Sequence, residues 1–419
     1  MPGTVETSEY PFRREMSCPF DPPPDLAELR RREPVTRVRL WDGSSAWLVT
    51  RYDDVREVLA DRRFSSDMNR PGFPTHGAGV AATRQRHRTF LNMDDPEHAA
   101  HRRMLTRDFM VKRVERLRPR IQESVDALLD EFLRRPEPAD LVTGLALPVT
   151  SGMIADLLGV PAEEHEFFQS RSTLLVSPDA DVAESLQAYE DLRDLFRELI
   201  QRRRRAPAAD VISHLITLED DGRLAPDETL NMLRLLITAG HETTANMIAL
   251  GTLALLEHPD QLAWLMAEPT ARAAGAVEEL LRYLTISHFG RRRVATEDVV
   301  VAGRLIRAGE GVIAANDSAN RDAAAFPDPD VLDLGRDSRH HLAFGYGTHQ
   351  CLGQPLARVE LQVVYPTLFR RLPHLRAAEP VGALRFKESM VFYGLFGLPV
   401  RWSAADPAPV PSSEQGTAR

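Results

Sequence analysis

Apolar residues recur at helical spacing, i, i+3, i+4, over most of the chain beyond Asp95. The pattern predicts helices over residues 96–110, 112–135, 143–158, 162–177 and 180–205. A longer one covers 227–257, and two more cover 270–284 and 355–371. Upstream, residues 25–32 read as a short helix, and residues 35–52 alternate apolar and polar about the turn dipeptide Asp42-Gly43, which predicts a β-hairpin. Asp53 and Asp54 are placed to cap a helix reaching Ala60. A second strand-rich patch falls at 291–315, and strand-like pieces follow the last helix to about residue 401. Residues 65–91 hold Pro71, Gly72, Pro74, Gly77 and Gly79 without a period, as functional or disordered loops do. The Pro-rich start, residues 1–19, reads as irregular, and residues 403–419 as a disordered tail. No repeat or linker divides the rest. The expected fold class is mainly α with a smaller β portion, in one domain over residues 20–402.

The longest helix is apolar nearly all round, as a buried central helix is. Arg234, His241, Glu242 and Asn246 exclude a membrane span. Within it stands Ala239-Gly240-His241-Glu242-Thr243-Thr244. Glycine inside a helix costs about 1 kcal/mol relative to alanine, so Gly240 asks for a reason. One reason is flat space over a ring, with the Thr243 hydroxyl bending the helix and binding water. Glu242 is then placed to pass protons to dioxygen bound beyond it.

The other concentrated stretch is Phe344-Gly-Tyr-Gly-Thr-His-Gln-Cys351-Leu-Gly353, followed by an apolar-periodic helix. Gly345 and Gly347 allow close backbone approach to a flat macrocycle. A cysteine just ahead of a helix N-terminus has its thiolate stabilised by backbone N–H groups. As the axial ligand of haem iron, a thiolate favours O–O cleavage.

Composition narrows the classes. Hydrophobic content of 43% and charged content of 27% suit a globular chain with a large core. A net charge of −9 argues against a general nucleic-acid binder. Two cysteines, Cys18 and Cys351, make no disulfide framework and suggest a reducing, cytoplasmic setting. The first thirty or so residues carry charges and prolines with no apolar run, so neither a signal peptide nor a membrane anchor is expected there.

F-G-x-G-x-H-x-C-x-G resembles the haem-binding signature of the cytochromes P450, and A-G-x-E-T-T resembles that family's oxygen-activation motif. Glu279-Leu-Leu-Arg282, on a helix about seventy residues before Cys351, resembles its structural Glu-Arg pair supporting the cysteine region. The resemblance runs from about residue 20 to about residue 401 and is to soluble bacterial, actinobacterial-type class I members. It implies the single, mostly helical domain of that family, with haem b between the long central helix and the cysteine loop. It also implies a haem set of Ala239, Gly240, Phe344, Gly345, Cys351 and Gly353, with Cys351 on the metal. His98, Arg102, Arg293 and His349 fall where the resemblance expects propionate partners, with Arg291 and Arg292 close enough to confuse the third. The implied catalytic residues are Glu242 and Thr243.

The implied activity is insertion of one atom of O2 into a hydrophobic small molecule: a macrolide, terpenoid, steroid, polyketide or xenobiotic. The expected pocket is largely apolar: Leu174, Leu175, Leu235, Thr238, Ile286, Phe289, Val391 and Phe392, with Arg84, Arg86 and Arg88 nearby in the loop. Two cysteines cannot hold an iron–sulfur cluster, so NAD(P)H must act indirectly, through a ferredoxin reductase and a ferredoxin. Docking is expected on Arg103, Arg107, Lys112, Arg113 and Arg358, with the chain a monomer. The alternative is a haem-thiolate nitric oxide reductase using NAD(P)H directly, which Val38-Arg-Leu-Trp-Asp-Gly and Asn316-Asp-Ser-Ala-Asn-Arg-Asp also resemble.

Overall fold

The computed structural model describes residues 8–15, 18–77, 89–176 and 182–403. The helices, in chain order, are α1 (Pro24–Arg32), α2 (Tyr52–Ala60), α3 (Glu97–Thr106), α4 (Val111–Glu115), α5 (Arg118–Phe132), α6 (Leu147–Leu158) and α7 (His165–Val176). They continue as α8 (Val182–Arg205), α9 (Val211–Asp220), α10 (Pro226–Glu257), α11 (Pro259–Ala267), α12 (Pro269–Leu284), α13 (Asn316–Ala319) and α14 (Gln354–Arg371). The strands are β1 (Val35–Arg39), β2 (Ser45–Val49), β3 (Phe64–Ser65), β4 (Ala139–Asp140), β5 (Arg291–Ala295), β6 (Val299–Val301), β7 (Arg304–Ile306), β8 (Gly311–Ala314), β9 (Arg376–Ala377) and β10 (Pro399–Arg401).

The main-α, minor-β expectation holds. One large helical core gathers α5, α6, α8, α9, α10, α12 and α14, and smaller clusters pack beneath the main sheet. That sheet has the order β1-β2-β8-β5-β3, joining the early hairpin to the late strand patch through a parallel β2–β8 pair. The hairpin register centres on Arg37 opposite Trp47, and Gly43 takes the positive φ its turn requires. Pairing of this kind between residues so far apart in sequence is invisible to local periodicity.

Several local expectations change. Asp53 and Asp54 lie inside α2; its first N–H, on Tyr52, is bonded instead by the Asp322 carboxylate at 2.9 Å. The helix expected over 112–135 divides into α4 and α5 around Arg116 and Leu117. Pro259, expected in a turn, opens α11, where its missing N–H costs nothing. Helix α9 escaped the pattern altogether. In the N-terminal segment, Tyr10 N–H bonds Arg39 O at 2.9 Å and Arg39 N–H bonds Ser8 O at 2.9 Å, so residues 8–10 extend the sheet edge and bury Tyr10. Arg84, Arg86, Arg88 and the 404–419 tail lie outside the described residues.

Helix α10 runs 32 residues through the core. Tyr365 on α14 donates to Met247 O at 2.5 Å, and Gly251 makes room for that ring. The two helices carrying the sequence motifs are thus locked side by side. Among the described residues, no helix is long and apolar enough to cross a membrane.

Candidate active site

The cysteine loop is held at both ends. Gly345 and Gly347 both adopt φ of +72°, and a Cβ on Gly347 would sit 2.5 Å from Leu59 O, so glycine is needed there by conformation and by space. Cys351 N–H donates to Phe344 O at 2.9 Å, closing the loop on itself. Gly353 opens α14, and no protein atom stands within 4 Å of where its Cβ would be. Burial pushes the Cys351 thiol up, against the pull of Arg291, the Gly353 and Gln354 N–H groups and Arg102. Without a metal the thiol keeps its proton; a bound cation is what makes the thiolate.

Basic side chains from three parts of the chain converge here. Arg102 on α3 donates to Gln350 O at 2.6 Å, beside the cysteine. His98, one turn earlier, packs against His349 with ring centroids 4.0 Å apart and the rings tilted. Burial first, then Arg293, His98 and Arg102, push His349 down to about 2. The strand β5 sorts its arginines by alternation. Arg292 turns to the carbonyls of Pro74 and Thr75 at 2.9 and 2.8 Å, away from the cysteine. Arg293 points the other way and is drawn down to about 10 by burial and then by Arg291. Arg291, on the same face, is the largest pull lowering Cys351, and period-two alternation was the signal that would have named it.

This set fits haem. His98 Nε2 and His349 Nδ1 are buried without a protein partner; propionates would satisfy both, His349 by donating from Nδ1 and His98 by taking up a proton on Nε2, since its Nδ1 donates to Asp95 at 3.2 Å. Ala239, midway along α10, is exposed, and Thr238, Gly240 and Thr243 are half-exposed on that stretch, so the helix borders open space there.

Gly240 has a reason beyond the one expected. Its Cβ would fall 2.4 Å from Ile154 Cδ1 on α6, so it answers a helix–helix contact. Thr243 donates to Ala239 O at 2.6 Å, the back-bonding that bends helices. Glu242 is buried and ion-paired to Lys387 at 3.0 Å, and Lys387 also donates to Asn246 Oδ1 at 3.0 Å. Lys387 was missed, since nothing local marks one lysine in the C-terminal strand pieces as the partner of a residue on α10. His241 beside them is fully buried with both ring nitrogens unpartnered, and burial, then Lys387, hold it down to about 4.

Glu279 and Arg282 are both fully buried and paired through two bonds of 2.8 Å. Arg282 also donates to the carbonyls of Asn320 and Pro329, and Glu279 accepts from Ser338 and Arg336. The pair thus ties α12 to the segment that precedes the cysteine loop. Arg358 is no free docking cation: it grips Glu278 at 2.6 Å and lies over the Phe344 ring.

Of the expected pocket, Ile286–Phe289 and Val391-Phe392 are brought together by Tyr393 N–H to Ile286 O at 2.8 Å and His288 Nε2 beside Met390 O at 2.6 Å. Leu235 and Thr238 lie on α10 and Leu174 on α7, which packs against it. The Leu175 side chain lies outside the described residues.

The cytochrome P450 family profile matches residues 25–379. Cytochrome P450-SU2 of Streptomyces griseolus is 54% identical over 94% of this chain and 96% of its own length. Pentalenic acid synthase of Streptomyces avermitilis is 48% identical over 96% and 99%. The crystal structure of cytochrome P450 MoxA from Nonomuraea recticatena superposes with a TM-score of 0.90 at 47% identity, covering 95% of this chain and 99% of that one.

Proposed function

We propose, for a chain that belongs to the cytochrome P450 monooxygenase family, that it hydroxylates or epoxidises a hydrophobic secondary metabolite, with Cys351 holding haem iron and electrons arriving from a ferredoxin. The observation that carries this reading is the convergence of His98, Arg102, Arg291, Arg293 and His349 around Cys351, from segments far apart in sequence. A bound thiolate-ligated haem supplies the activation of dioxygen.

The chain's own residues supply the rest. His98, Arg102, Arg293 and His349 hold the propionates, and Arg291 offsets negative charge at the sulfur. Phe344, Gly345 and Gly353 shape the side of the site that carries the cysteine; Ala239 borders the opposite side, with Gly240 letting α6 close in behind it. Glu242 takes protons from the Lys387 side and passes them toward the Thr243 hydroxyl, which faces the open stretch of α10. Lys387 must let the carboxylate turn for that transfer. Leu174, Leu235, Thr238, Ile286, Phe289, Val391 and Phe392 exclude water and orient an apolar substrate. The relatives called pentalenic acid synthase and vitamin D3 dihydroxylase favour a small natural product as substrate.

The ferredoxin docks where Met110 and Val111 stand exposed between Arg103, Arg107, Lys112 and Arg113. Arg113 shares its charge with buried Asp108 at 3.4 Å, and Arg358 leaves the set. Nitric oxide reduction is not favoured, since the acid–threonine pair is in place.

The test is spectral. Purified protein should give the reduced-CO band of a thiolate-ligated haem, and Cys351→Ser should abolish it; a variant that keeps the band would overturn the ligand assignment. Titration with terpenoid and polyketide scaffolds should then produce a low- to high-spin shift for the substrate class.

A further inference from the structure

Helix α12 carries two adjacent acids that reach different parts of the molecule. Glu279 faces Arg282, Arg336 and Ser338, all outside the cysteine loop. Glu278 faces the two residues that flank the loop, one on either side. Arg358, seven residues past Cys351, donates to Glu278 from Nε at 2.6 Å and from a second guanidinium nitrogen at 2.9 Å. His341, ten residues before Cys351, places Nε2 at 3.1 Å from the same carboxylate. His341 Nδ1 accepts the Ala343 N–H at 3.1 Å, so the neutral ring carries its proton on Nε2 and donates it to Glu278. Burial pushes His341 down, which keeps it neutral.

From this carboxylate the contacts lead to the backbone of Cys351. The Arg358 guanidinium lies 4.6 Å from the Phe344 ring centroid, and Phe344 O accepts the Cys351 N–H at 2.9 Å. Burial opposes ionisation of Glu278, but the hydrogen bonds from His341 and Arg358 and the Arg358 charge outweigh it and draw the carboxyl down to about 2. The pair is therefore one full negative and one full positive charge, largely out of water, beside the loop that bears the ligand.

We propose that Glu278 and Arg358 are positioning residues for electron uptake, a charge-balanced pair that sets how readily the Cys351-ligated centre accepts one electron. This rests on the haem-thiolate reading above. In the step concerned, the ferredoxin loses one electron and the centre gains one; the pair transfers neither proton nor electron. Its effect is a field: a unit charge left unbalanced in a poorly screened interior acts on the added electron. Hydrogen bonding and burial around an axial ligand are the protein's levers on such a centre.

Opposite charges give the test its sign. Dye-mediated redox titration of the holoprotein at alkaline pH would compare wild type, Glu278→Gln, Arg358→Gln and the double variant. Glu278→Gln leaves Arg358 unbalanced, so the reduced-to-oxidised ratio at a fixed potential should rise about tenfold, 59 mV for a one-electron couple. Arg358→Gln should lower it by a similar factor, and the double variant should return toward wild type. A purely structural role would move both single variants in the same direction; that result, or no shift in either, overturns the proposal. If Glu278→Gln does not hold haem, Arg358 still decides, because its side chain is 24% exposed. Arg358→Gln must lower the ratio while Arg358→Lys preserves it. Wild type lacking a thiolate-type reduced-CO band would sink the haem-thiolate reading itself; a normal band with same-sign shifts would sink only this inference.

Discussion

The two halves of the site, the side of the cysteine and the side of the central helix, handle polar groups in opposite ways. Behind the cysteine loop, where α12 meets it, the buried charges are matched: Glu279 with Arg282, Arg336 and Ser338, and Glu278 with Arg358 and His341; His98 Nε2 and His349 Nδ1, on the propionate side, stand open. On α10 the polar groups are under-satisfied. His241 has no partner on either ring nitrogen, Asn246 Nδ2 has none, and Thr243 spends its hydroxyl on its own helix. A ligand must stay in one geometry, and doubly anchored ion pairs enforce that. A proton path must change partners, and a group held by several strong bonds cannot. The contrast separates holding from moving.

The contrast breaks hardest on the cysteine side. Arg282→Ala would strand a fully buried Glu279 carboxylate, a loss of about 3–5 kcal/mol. We expect thermal unfolding to show little folded, haem-retaining protein; a stable Arg282→Ala holoprotein would mean the matched network is not what holds the loop. On the other side, Glu242→Gln should leave haem and substrate binding in place. Coupled turnover should fall about 100-fold, as when a positioned proton donor is lost. Product formed per NAD(P)H consumed is the measure, and unchanged coupling would take Glu242 out of the proton path.

A third test uses pH. His241 is neutral in the folded protein down to about 4, whereas in the unfolded chain it protonates near 6.5. Below about 6.5 the unfolded state binds the extra proton, so stability falls as pH drops toward 4. His241→Leu should remove part of that loss, on the order of 2 kcal/mol. His288 and His76 are held down in the same way, so the difference between the two proteins in denaturant midpoints across this window is the quantity to read. The smallest effect is at Gly240. A methyl there meets Ile154, an overpacking loss of at least about 1 kcal/mol, partly offset by better helix propensity. Ile154→Val in the same chain should recover some of it. If Gly240→Ala alone were neutral in stability but lost haem, the glycine would serve the ring and not α6.

Much was legible in advance where the signal is local. The 32-residue α10 shows as an apolar surface of helical period, and its bounds came within a residue of the expected 227–257. The hairpin, α12 and α14 followed from the same periodicities. Cys351 and its glycines form a contiguous motif whose conformational needs are local. Misreadings gathered where a distant group answers a local need. Asp322 caps α2 in place of Asp53 or Asp54, and Arg358 belongs to Glu278 although its position suggested a docking face.

By itself, then, the sequence determined the helical class, the long central helix, the contiguous cysteine motif and the family, because periodicity and contiguous motifs are properties of neighbours along the chain. Only the tertiary structure decided the partners. It set Lys387 against Glu242, Glu278 against Arg358 and His341, Arg291 toward the sulfur while Arg292 turned away, and Ile154 against Gly240. Buried charges find their counter-charges through space, across more than a hundred residues for Glu242 and Lys387, and no spacing rule encodes which lysine or arginine will arrive.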